Sequence, residues 1–97
     1  MTQTEMKSRL MERSKALEGR FEMRFEKRII KERTCFLRPD GMLFALDFLL
    51  PFGALVLEYA DSVEEAKKNR FEDGDLFYLE DMDEETMFQC MIQEIEQ

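Results

Sequence analysis

Met42-Leu43-Phe44-Ala45-Leu46-Asp47-Phe48-Leu49-Leu50, then Pro51-Phe52-Gly53, then Ala54-Leu55-Val56-Leu57-Glu58-Tyr59, is the stretch that decides the fold. Both apolar runs are too short to be helices of ordinary length, and the Pro-Phe-Gly between them makes a tight reversal, so they read as paired antiparallel strands. Alternation divides the first run into Met42/Phe44/Leu46/Phe48/Leu50 and Leu43/Ala45/Asp47/Leu49. Only Asp47 interrupts the second set. A strand this apolar on both sides belongs in a sheet covered by helices on one face and partly covered on the other.

Working toward the N-terminus, Pro39-Asp40-Gly41 is a second turn, and Thr34 to Arg38 is a short strand that completes a three-stranded meander. Residues 4-32 carry Met6, Leu10, Leu17, Phe21, Phe25 and Ile29 at three-to-four-residue steps without a proline, which predicts a long amphipathic helix. Gly19 is its weak point, a place for a kink or break. Unbroken, it would run roughly 43 Å at about 1.5 Å per residue, against a radius of gyration of about 13 Å for a domain of this length. The helix should therefore overhang the body, and Phe21, Phe25 and Ile29 become candidates for self-association in a homodimer.

Toward the C-terminus, Asp61-Ser62-Val63-Glu64-Glu65 has the spacing of a capping box and starts a short helix running to about Arg70. Residues 71-75 read as a turn, Leu76-Phe77-Tyr78-Leu79 as a short strand, and Asp83 as the cap of a last helix, 84-96, with Met87, Phe88, Met91, Ile92 and Ile95 on one stripe. The expected class is α+β: long N-terminal helix, three-stranded antiparallel meander, short helix, short strand, C-terminal helix. Ninety-seven residues supply one core, so residues 1-97 form a single domain.

Charge divides unevenly along this order. Residues 1-33 hold ten Lys/Arg against six Glu, a balance of +4, while residues 34-97 hold four against sixteen Asp/Glu, a balance of -12. A basic amphipathic helix thus precedes an acidic body, an asymmetry that points to binding. With six Glu interleaved among its cations and a net charge of -8, the chain is poorly suited to a nucleic-acid backbone. Attraction between the two halves, within one chain or between two copies, accounts for the segregation more simply.

Much chemistry is excluded by what the sequence lacks. There is no His to serve as an imidazole base or to complete a zinc site. The serines fall in the basic helix or, for Ser62, in a helix cap, and no glycine-rich phosphate cradle is present. No cofactor is expected. Cys35 and Cys90 are widely separated and read as buried thiols of a reducing compartment. No apolar run reaches the length of a membrane span, and the first residues lack the basic-then-apolar order of a signal peptide, which together predict a cytoplasmic protein.

The order of Asp47-Phe48-Leu49-Leu50-Pro51 and Leu55-Val56-Leu57-Glu58-Tyr59-Ala60 resembles the core of restriction-endonuclease-like (PD-(D/E)xK) nucleases over residues 42-80. That resemblance implies a divalent cation held by Asp47 and Glu58, but Ala60 stands where the family has a catalytic Lys. It therefore implies a degenerate or divergent metal-dependent nuclease-like domain as the alternative function. Asn69 to Tyr78 resembles short bacterial accessory proteins.

The acidic cluster supports a different expectation. Glu80, Asp81, Asp83, Glu84 and Glu85, with Glu72, Asp73 and Asp75 nearby, do not follow the ligand spacing of an EF-hand. Part of their charge serves the last helix, whose N-terminal amides favour carboxylates. The remainder should steer a basic partner. The sequence thus predicts a non-enzymatic binding or regulatory protein, an acidic inhibitor or immunity-type bacterial or phage accessory protein, with Asp75, Glu80, Asp81, Glu84 and Glu85 meeting a basic protein partner.

Overall fold

Leu43 through Leu49 pairs residue for residue with Ala60 through Ala54, and this seven-pair antiparallel ladder is the centre of the sheet. The computed structural model describes residues 2–97. In chain order the elements are α1 (Gln3–Glu22), β1 (Glu26–Ile30), β2 (Arg33–Leu37), β3 (Leu43–Leu49), a 3-10 turn (Leu50–Phe52), β4 (Ala54–Ala60), α2 (Val63–Lys67), β5 (Glu72–Tyr78) and α3 (Glu84–Ile95). All five strands join one antiparallel sheet in the order β1-β2-β3-β4-β5. The α+β class and the central meander are as expected; the strand count is five, not three plus a fragment.

The largest correction concerns the first helix. It begins as a capped helix, with Thr2 Oγ1 accepting the Glu5 N–H at 3.1 Å, but it ends at Glu22. Gly19 lies inside it and breaks nothing. The five residues Glu26–Ile30 instead pair with Leu37 to Arg33 as β1. Ile29 and Ile30 are β-branched and suit a strand, and the otherwise open edge of β2 offers hydrogen bonds that a lone helical turn cannot match. The step from Phe21 to Phe25 to Ile29 mimics helical spacing without being helical.

Nor does α1 overhang. Its 20 residues lie along the sheet inside a molecule measuring 39 × 25 × 20 Å, with Leu10, Leu17 and Phe21 fully buried. They meet Phe36, Phe44, Leu46, Leu55, Leu57 and Phe77 of the sheet and the whole predicted stripe of α3 in one core. Phe21 is the hub, its ring centroid 5.6 Å from Phe36, 5.2 Å from Phe44 and 5.4 Å from Phe88. Helix packing on the Phe44/Leu46 side of β3 is thus as expected. The opposite face is partly covered: Cys35, Leu43 and Ala45 are buried there with Val63 of α2 and Phe71 against them.

The two halves of the charge pattern close on each other within this fold. Arg20 of α1 pairs with Glu85 of α3, Arg24 pairs with Glu96 at 3.3 Å, and Arg13 donates to the Met82 carbonyl at 3.1 Å. Each exposed pair contributes only about 0–1 kcal/mol, so the apolar face, not the charge, holds α1 down. Cys35 is buried and Cys90 half-buried, both as free thiols. Among the described residues no helix is long and apolar enough to cross a membrane.

The β1–β2 connection is strained. Ile30 pairs directly with Arg33, leaving Lys31 and Glu32 as a two-residue loop with φ of 49° and 69°. Two-residue hairpin loops of this kind favour Asn-Gly, because left-handed backbone costs other L-residues roughly 1–2 kcal/mol each. Lys31→Asn with Glu32→Gly is therefore expected to stabilise the fold by about 1 kcal/mol net of the added glycine freedom. Thermal denaturation followed by circular dichroism should show a rise of about 4–8 °C.

Candidate acidic binding surface

From residue 71 to residue 97 the chain has ten Asp or Glu and no Lys or Arg. The fold lays them along β5, the following turn and α3. Four are occupied structurally: Asp83 caps α3 by accepting the Thr86 N–H at 2.8 Å, Glu85 and Glu96 are in the pairs with Arg20 and Arg24, and Glu94 accepts hydrogen bonds from Tyr59 and Asp75. The bond from Thr86 holds the Asp83 carboxyl below its ordinary pKa, and that from Arg20 does the same for Glu85. Glu72, Asp73, Asp75, Glu80, Asp81 and Glu84 make no ion pair among the described residues. All six are exposed, on or after a strand that the sequence placed partly in a turn.

Strand β5 accommodates these acids because it is an edge. Its register shifts between Val56 and Glu58 of β4, so Gly74 and Asp75 bulge where one residue would pair. The bulge turns the Asp75 N–H toward α3, where Glu94 Oε1 accepts it at 2.7 Å. The other oxygen of Glu94 accepts the Tyr59 hydroxyl. Burial, then the bond to Glu94, pushes the Tyr59 hydroxyl far above its ordinary pKa, so it remains a donor throughout the physiological range. Gly74 makes this possible, since an added Cβ would lie 2.5 Å from a Glu94 oxygen.

Around this bond lies an open cleft of ≈ 490 Å³ whose walls include Arg38, Tyr59, Asp61, Glu72, Asp75 and Glu94. Arg38 is held by Asp40 at 2.9 Å. A second cavity of ≈ 360 Å³ opens at the far end of β5, bounded by Met6, Leu50, Pro51, Phe52, Gly53, Tyr78, Glu80 and Asp81. Phe52 is 60% exposed and Tyr78 41% exposed there.

The five acidic residues expected to meet a partner are thus not one patch. Asp75 lies on the cleft within β5, whereas Glu80 lies in the turn beyond the end of that strand. Glu80 and Asp81 share the far-end cavity, Glu84 borders a neighbouring groove with Arg9, Arg13 and Leu79, and Glu85 is engaged by Arg20. The self-association trio is also dispersed. Phe21 is enclosed by the chain's own core, Phe25 is half-buried with its centroid 5.0 Å from Phe44, and Ile29 is 59% exposed on the outer strand β1. No shared helix face joins them, because the helix has ended before Phe25.

Asp47 and Glu58 do lie near each other on the second face of the sheet, across the β3–β4 ladder. The Arg33 guanidinium, itself 4.4 Å over the Phe71 ring, pairs with Glu58, and Asp47 Oδ1 accepts the N–H of Phe48 at 2.8 Å. Burial raises the Glu58 pKa while Arg33 lowers it. The place beside Glu58 that the nuclease resemblance gives to a metal ion is taken by an arginine. Among the described residues no group of three or more His, Cys, Asp or Glu is arranged to hold a metal.

Sequence reasoning missed Tyr59, Glu94, Phe52 and Tyr78. Glu94 had a signal, since it stands beside Met91 and Ile95 at the margin of the α3 stripe. Phe52 had one too: a large aromatic between Pro51 and Gly53 is out of character for a turn. No protein-family model, curated protein or solved structure matches this chain.

Proposed function

We propose that this chain is a non-enzymatic, cytoplasmic binding protein that docks a basic surface of another protein against its β5–α3 side. The observation that carries this reading is the set of six carboxylates that make no ion pair among the described residues, Glu72, Asp73, Asp75, Glu80, Asp81 and Glu84, in a segment of the chain without a single cation. Two nearby cations that could have neutralised them, Arg20 of α1 and Arg24 just after it, are spent on Glu85 and Glu96. Such a one-signed surface raises the encounter rate with a positive partner and repels nucleic acid. An inhibitor or immunity-type role toward a basic nucleic-acid-acting protein is the form of this reading that best accounts for the size of the acid excess. Self-association has no part in it, because the helix stripe that suggested a dimer is used inside the core.

The test is photo-crosslinking from position 86, an exposed site on α3 next to these carboxylates, in an extract of the native host. We expect capture of a protein of net positive charge. Capture should weaken with added salt, disappear in the triple variant Glu80→Lys, Asp81→Lys, Glu84→Lys, and persist in the control Glu26→Lys, Glu32→Lys at the opposite edge of the sheet. Capture indifferent to the acidic triple variant, or crosslinks to nucleic acid alone, would reject the reading.

A further inference from the structure

We infer that the cavity at the far end of β5 is an arginine-recognition site, in which a guanidinium presented by the protein partner stacks on Phe52 or Tyr78 and is held by the carboxylates of Glu80 and Asp81. This rests on the basic-partner reading above and gives it a place and a chemistry.

Three features support it together. The first is that the aromatic rings are held out by the backbone. Pro51 stands in the 3-10 turn before Phe52, and Gly53 follows it at φ 58°, a left-handed conformation natural to glycine. The Gly53 carbonyl accepts the Leu79 N–H at 2.9 Å, tying this turn to the end of β5, and Met6 packs beneath, where a Cβ on Gly53 would come within 3.1 Å of its terminal methyl. Phe52 is therefore fixed on a braced loop with most of its ring in water, which preorganises it for contact.

The second feature is the pairing of ring faces with carboxylates. Phe52, Tyr78, Glu80 and Asp81 border the same ≈ 360 Å³ cavity, and none of its lining residues is Lys or Arg. A cation over an aromatic face gains about 0.5–2 kcal/mol, more often as Arg than as Lys, because the planar, weakly hydrated guanidinium stacks while its edge donates to a carboxylate in a fork. The same chemistry already occurs inside the molecule, where Arg20 lies 3.9 Å from the Phe88 ring centroid while pairing with Glu85. The third feature is that Glu80 and Asp81 are exposed and make no ion pair among the described residues.

The probe is a capped peptide, Gly-Ser-Leu-Arg-Ser-Gly, titrated into the isotope-labelled full chain and followed by amide chemical shifts. The expected result is weak binding, with a Kd of about 1 mM, and shifts confined to residues 50–53 and 78–81. Replacing the peptide's Arg by citrulline, which keeps the shape and removes the charge, should weaken binding by about tenfold or more. Phe52→Ala and the pair Glu80→Gln, Asp81→Asn should each do the same, while leaving the rest of the spectrum in place because these side chains are exposed.

Shifts centred instead on Asp75, Glu94 and the ≈ 490 Å³ cleft would overturn this placement and leave the basic-partner reading standing. Equal binding of the Arg and citrulline peptides, or no binding to the parent chain, would overturn the arginine assignment; a crosslinked partner still lost on acidic charge reversal would then show that only the finer inference had failed.

Discussion

Phe21→Ala is expected to leave the chain largely unfolded at room temperature. The ring is fully buried and meets Phe25, Phe36, Phe44 and Phe88 at centroid separations of 5.2–6.4 Å. Truncating a buried Phe removes about 3–5 kcal/mol through lost transfer energy and the cavity left behind. Domains of this size have about 5–15 kcal/mol in total. The site cannot collapse easily, because its walls come from a helix at each end of the chain and from two sheet strands. Urea denaturation followed by circular dichroism should show a midpoint lowered by more than half, or no folded baseline. Ile29→Ala, on a side chain 59% exposed, should change stability by less than about 0.5 kcal/mol. A Phe21→Ala protein of unchanged stability and smaller mass in solution would restore the dimer seam that helical spacing implied.

Gly74→Ala should destabilise by about 1–3 kcal/mol, and the reason is a side chain on another element. Gly74 has no left-handed backbone to preserve, so alanine there would ordinarily be neutral or stabilising by about 0.4–1 kcal/mol through the unfolded chain. The new methyl, however, would sit 2.5 Å from a Glu94 carboxylate oxygen and 2.8 Å from its carbon. Glu94 can retreat only by releasing the Asp75 N–H and the Tyr59 hydroxyl together. A half-buried hydroxyl left without its acceptor costs about 1–3 kcal/mol. The mechanism makes a sharper demand: in a Glu94→Ala background, Gly74→Ala should be neutral or stabilising. A double-mutant cycle from urea unfolding measures that coupling. Additive effects would show that the bulge, not the carboxylate, needs the glycine.

These two sites also mark the limits of what the sequence discloses. The stripe of α3, its Asp83 cap, the Ser62 cap and the β3–β4 pair were legible because each depends on neighbours in sequence. The end of α1 was not. Phe21, Phe25 and Ile29 satisfy helical spacing, and the two-residue loop Lys31-Glu32 lacks the Asn-Gly that would announce a hairpin, yet pairing with the free edge of β2 makes Glu26–Ile30 a strand. Glu72, Asp73 and Asp75 looked like turn residues for a related reason. Propensity counts against acids in a strand, while an edge position with a bulge and a supporting carboxylate from α3 tolerates them. The acidic excess itself was visible, but its division into a cleft near Asp75 and an aromatic-rimmed end near Glu80 depends on the length of β5.

Both outer helices cover the same side of a meander whose strands join only to their sequence neighbours. Hairpins of this kind can zip up locally and fast as the polypeptide emerges from the ribosome. Their greasy surface nevertheless stays half bare until Glu84–Ile95 has been synthesised, since Met87, Phe88, Met91, Ile92 and Ile95 close the core. The nascent protein is thus most vulnerable to aggregation, and most in need of a chaperone, until α3 is available to dock.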